Sequence, residues 1–184
     1  MSRVSLTVET EVSPDMRPRY GRVAEAESGL SATYRTLFAI PEAASKLSDL
    51  DEFIRDRCDL EPWIRLIVAL TVAHECDSRV MWDSFEPLAR QAGVNNAVIE
   101  GIAAGTAPRG LLPKEGIWVH FTLEVLGNKM RDSTWQAVTH LVGDSGATVL
   151  ALTACYYEMM VRLNSTLVWD PGWRAFRRRA WCRY

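Results

Sequence analysis

The chain has no two cysteines close enough in sequence to act together. Its four cysteines, Cys58, Cys76, Cys155 and Cys182, are scattered over 184 residues. Neither a CxxC redox motif nor a zinc-ligand spacing occurs. Such cysteines are expected as reduced, buried thiols. Histidine is also scarce: His74, His120 and His140 are far apart and form no recognised ligand arrangement, so no metal is expected. A phosphate-cradling loop is missing. GAT at 146–148 is not one, and GTAPRG at 105–110 lacks the lysine and the spacing, so no nucleotide or other cofactor is expected.

Charge of one sign is lacking too. The net charge is -2 with 24% charged residues, which gives no electrostatic case for nucleic acid. The one basic cluster, Arg174, Arg177, Arg178, Arg179 and Arg183, reads as a solvated C-terminal helix. No apolar run approaches membrane length. The longest, Leu66 to Ala73, is broken by Thr71. The opening MSRVSLTVETEV carries no signal-peptide core, so a cytoplasmic setting without membrane contact is expected. No segment alternates apolar and polar residues long enough for a half-buried strand.

What is present is helical. Apolar residues make up 48% of the chain, enough for a core, and the length suggests one domain over 1–184. Residues 1–20, with Pro14 and Pro18, read as an extended arm. Leu30, Tyr34, Leu37 and Phe38 recur at helical period. Pro41 and Pro62 each open a helix, where a missing N–H costs nothing. WIRLIVALTVA, within 62–76, is apolar nearly all round and reads as a central buried helix. Asp77 is positioned to cap the next helix, about 78–92, which ends at Gly93. A short helix from Asn95 or Asn96 to about Ala104, a Gly/Pro loop and a helix at about 113–129 follow. Asp132 or Ser133 starts a helix ending near Gly143, 145–167 forms a long apolar one, and Pro171 opens the last. The class is all-α, with about eight helices.

The stretch Arg65 to Gly105, RLIVALTVAHECDSRVMWDSFEPLARQAGVNNAVIEGIAAG, resembles the core of the carboxymuconolactone decarboxylase and alkylhydroperoxidase D group. A buried helix, a helix that carries the reactive groups, an Ala-Gly-Val turn and a short helix follow in that order. Val119 to Leu167, with its D-S-T-W start and its Tyr-Tyr pair, is similar to the group's C-terminal half. The resemblance covers about 55–168. It implies a helical bundle and assembly into a homo-dimer, trimer or hexamer.

The same resemblance marks what is missing. Anchored on the Ala-Gly-Val turn, the cysteine positions of the peroxidase branch fall on Ser78 and Met81, and its histidine position on Phe85. In a sister branch a glutamate falls on Met81 and a tryptophan on Trp82. A further glutamate of the group falls on Leu66, beside a retained Arg65. Positions 78, 81 and 85 share one helix face. A thioether and a phenyl ring transfer no proton, and without a dithiol no peroxide is reduced. Peroxidase activity is therefore not expected.

Several residues admit two readings. Met81 and Phe85 are core by their spacing, or they line an apolar cavity with Leu66, Trp63, Trp82 and His74. His74 ends an apolar helix, where it complements the dipole or acts as a base. His120, within an apolar run, is a satisfied buried histidine or a base. Of Tyr156 and Tyr157, mid-helix beside Cys155 and Glu158, one is expected to face the core, where its phenol is able to donate to a ligand, and Tyr157 is the candidate. Three functions follow from these alternatives. The first is a cofactor-independent cyclase or isomerase of secondary metabolism, acting on an apolar small molecule with His120, Tyr157 and Ser78 as its polar groups. The second is a non-catalytic relative that binds a ligand or serves as a scaffold. The third is the decarboxylase or lactone chemistry of the resembled group.

Overall fold

The structure, a computed structural model, describes residues 3–24, 29–106 and 113–168. Among these residues there are eight α-helices and no β-strand, as the all-α reading requires. They are α1 (Arg17–Ala24), α2 (Ser31–Leu37), α3 (Pro41–Glu52), α4 (Pro62–Glu75), α5 (Arg79–Gln91), α6 (Asn96–Ala103), α7 (Pro113–Leu126) and α8 (Asp132–Leu167). A 3-10 turn, Glu9–Glu11, precedes α1, and a π-helical turn, Phe53–Arg57, follows α3. The helix expected at Pro171, the arginine cluster, Cys182 and most of the Gly/Pro loop lie outside the described residues. No helix among the described residues is long and apolar enough to cross a membrane.

The chain divides into two compact units: Met1–Asp51 with Met160–Tyr184, and Glu52–Met159. In the first, the arm expected over residues 1–20 ends earlier, before Arg17. Residues 17–20 already belong to α1, because proline is tolerated in a first helical turn. Tyr20 and Val23 face inward from α1. The Tyr20 ring meets Phe38 edge-on at 5.0 Å, and its hydroxyl donates to Thr7 O at 2.7 Å. Arg3 N–H donates to Leu167 O at 2.9 Å, and Asn164 Nδ2 donates to the Thr33 hydroxyl at 2.8 Å.

The second unit is built around α4. Pro62 opens it, and Ile64 and every residue from Leu66 to Ala73 are buried. The helices α5, α6 and α7 pack against it. Its apolar circumference is thus covered within the unit.

The turns that set the register are paired loops of hydrogen bonds. After α4, Asp77 takes a left-handed φ of 51° while its N–H donates to His74 O and the Ser78 N–H donates to Ala73 O. This pattern satisfies carbonyls that a helix end leaves open. It recurs after α5 through Gly93 and Val94, and after α7 through Asn128 and Lys129. Asp77 therefore breaks the helix, and Ser78 is the residue that caps α5. Asn95 caps α6, accepting from the Ala97 N–H at 2.9 Å. Within α8 the backbone leaves helical geometry at Gly143, with φ 72° and ψ 172°. Two helical segments meet there, as the sequence suggests.

Candidate functional site

The helix face of Ser78, Met81 and Phe85 is closed. The Ser78 hydroxyl is buried and accepts from the Met81 N–H at 3.4 Å, satisfying a donor that the start of α5 would otherwise leave open. Met81 is 0% exposed and Phe85 2%. The Phe85 ring lies edge-on to Tyr157, with centroids 5.2 Å apart at 65°. This is a favourable aromatic geometry, not an open wall. Leu66 is buried as well. The Tyr157 ring also meets Tyr156, tilted at 54° with centroids 5.3 Å apart, and its hydroxyl accepts from Arg65 Nη1 at 3.3 Å. The Tyr157 phenol is thus already engaged by a cation four helices away in sequence. The sequence pattern marks Arg65, whereas no local signal announces its pairing with Tyr157.

The two pocket tryptophans lie elsewhere. Trp82 is half-buried, and its indole N–H donates to Glu86 Oε2 at 2.9 Å. Glu86 also accepts from Arg90 at 2.8 Å, and that bond, set against partial burial, holds its carboxyl below the ordinary range. Trp63, also half-buried, meets Trp118 edge-on at 6.2 Å.

His74 sits at the end of α4, its Nδ1 3.1 Å from Glu75 Oε1. With Thr71, Glu75, Ile102, Gly105, Val119 and Leu123 it lines a recess of about 20 Å³. That volume holds roughly one water. An organic ligand needs on the order of 300 Å³.

His120 departs from the expectation of a buried histidine. Its side chain is 34% exposed, because α7 turns this residue to the rim of the unit. Nε2 lies 2.9 Å from Glu124 Oε1, one helical turn on, and against Arg131 Nη2. The Glu124 side chain is only 9% exposed, so its charge must be met by partners. Oε1 accepts from Arg131 Nε at 2.5 Å, and Oε2 accepts from the Arg131 backbone N–H at 3.1 Å. Burial works against the charged form. The Arg131 N–H, its guanidinium and the Thr134 hydroxyl outweigh it, and the Glu124 carboxyl titrates below its ordinary range. The cluster ties the end of α7 to the start of α8. Its sequence signal was a His and a Glu at i, i+4.

Candidate catalytic residues are therefore dispersed. Phe85, Tyr157 and Arg65 come together, while His120 and His74 belong to two other clusters. Cysteines expected as buried are not: Cys155 is exposed, and Cys58 and Cys76 are half-buried. Among the described residues no group of three metal-ligating side chains converges. No family model matches the chain, and neither does any curated protein or solved structure.

Proposed function

We propose that the chain is a divergent, non-catalytic relative of the carboxymuconolactone decarboxylase and alkylhydroperoxidase D group, in which the scaffold serves to bind or assemble. One observation carries this reading. The helix face where the resembled group keeps thiol, carboxylate and imidazole is filled by the buried Met81 and Phe85, and the Phe85 ring lies edge-on to the Tyr157 that accepts from Arg65. A filled face positions no substrate, since orientation requires a volume the substrate occupies. Assembly into a dimer, trimer or hexamer belongs to the same proposal, and sedimentation velocity reads it. The functional test is product analysis. Incubated with a peroxide and a dithiol, or with a panel of polyketide and terpenoid intermediates, the protein should give no turnover above buffer.

The second reading is a cofactor-independent cyclase or isomerase acting on an apolar small molecule. The observation that favours it is the half-exposed His120 beside the buried Glu124 carboxylate, a titratable ring within reach of solvent. Turnover in the same panel that His120→Gln abolishes would establish this reading and reject the first.

A further inference from the structure

We propose that the α7–α8 connection carries a proton-controlled exchange of partners, centred on His120 Nε2. The inference goes beyond either functional reading and rests on neither. One ring nitrogen faces both a donor and an acceptor: Arg131 Nη2 lies against it, and Glu124 Oε1 stands 2.9 Å away. A ring nitrogen without its proton accepts, and with its proton donates. It cannot serve Arg131 and Glu124 at once.

The two states follow from this exclusion. In the neutral ring the proton sits on Nδ1, and Nε2 accepts from Arg131 while Arg131 Nε holds Glu124 Oε1 at 2.5 Å. In the protonated ring Nε2–H donates to Glu124 Oε1, and two cations then meet at a single oxygen. Arg131, whose side chain is 61% exposed, is the partner free to leave for water. His120 stays, because it is fixed on α7 one turn from Glu124. The Arg131 backbone N–H keeps its bond to Oε2 at 3.1 Å in both states, so the connection holds while the guanidinium is released.

Among the described residues the Thr134 hydroxyl is a further, uncharged partner of Glu124, and the nearby charged groups are engaged elsewhere or exposed. Arg65 on α4 is engaged by Tyr157 and His74 by Glu75. Glu100 on α6, Lys129 in the connection, and Asp132 and His140 on α8 are all exposed. Among the described residues, His120 pairs with Glu124 and Arg131 alone.

The test is a nuclear magnetic resonance titration of the intact chain from pH 8 to 5, the range over which imidazole gains its charge. Three histidines make the ring resonances assignable. The neutral His120 ring should carry its proton on Nδ1. The Arg131 Nε–H signal should change with the same midpoint as the His120 ring, and in His120→Gln it should stay constant across that range. An Arg131 signal indifferent to the His120 midpoint would overturn the exchange. So would a neutral ring protonated on Nε2, or an Arg131 transition that persists in His120→Gln.

Discussion

Replacing Gly143 by alanine distinguishes a broken α8 from a continuous one, because the two differ in the sign of the effect. Inside an unbroken helix a Gly→Ala change stabilises by about 1 kcal/mol. At φ 72° and ψ 172° the residue lies instead in a region populated almost solely by glycine, where a side chain costs about 1–3 kcal/mol. The cost is conformational, since nothing lies within 4 Å of the position a Cβ would take. Gly146 supplies the contrast. It has no positive φ, but a Cβ there would stand 2.7 Å from Val142 Cβ. Its replacement costs about 1–3 kcal/mol by overpacking, with only about 1 kcal/mol of helix propensity returned. D-Alanine separates the two mechanisms. At 143 it adopts the mirror image of an extended L-residue without strain, so it should restore stability. Urea unfolding read by tryptophan fluorescence is the assay. Trp63, Trp82, Trp118 and Trp135 all lie in the unit Glu52–Met159. A Gly143→Ala variant as stable as the parent, or more so, refutes the break.

Further outcomes follow from the clusters. Glu124→Gln should cost about 1–2 kcal/mol at neutral pH, reduced by the exposure of Arg131. Because the folded carboxyl titrates below its ordinary value of 4.5, its contribution is full above that pH and is lost as pH falls through the folded value. The stability difference between parent and variant should therefore shrink in acid, as pH falls below the ordinary carboxylate value. Ser78→Ala should cost about 1 kcal/mol, the worth of a helix cap, and Ser78→Asp should recover most of it. Tyr157→Phe should cost about 1 kcal/mol, since it removes the acceptor of Arg65 but keeps the ring against Phe85.

Most helix boundaries were legible in the sequence because single residues dictate them. Pro41 and Pro62 open helices, Asn95 caps one, Gly93 ends one, and Gly143 marks a break, each for a local backbone reason. The central place of α4 was legible from its apolar circumference. What escaped depends on distance. Arg65 and Tyr157 are 92 residues apart, and no local pattern announces their bond. Helix α1 was hidden because its first turn contains Pro18 and its inward residues, Tyr20 and Val23, are only two. His120 was misplaced because its neighbours Val119 and Phe121 are apolar and buried, yet a helix turns each residue about 100° from the last. The identity of the residues at 78, 81 and 85 was plain. Whether they enclose space or fill it was a matter of packing.

That packing has a direct measure in the equilibrium unfolding free energy of Phe85→Ala. A phenyl ring 2% exposed and set edge-on against Tyr157 should cost about 3–5 kcal/mol when truncated, the range for emptying a packed core. A loss below about 1 kcal/mol, with an apolar ligand stabilising the parent but not the variant, would show that Phe85 lines a working pocket and would contradict the filled face.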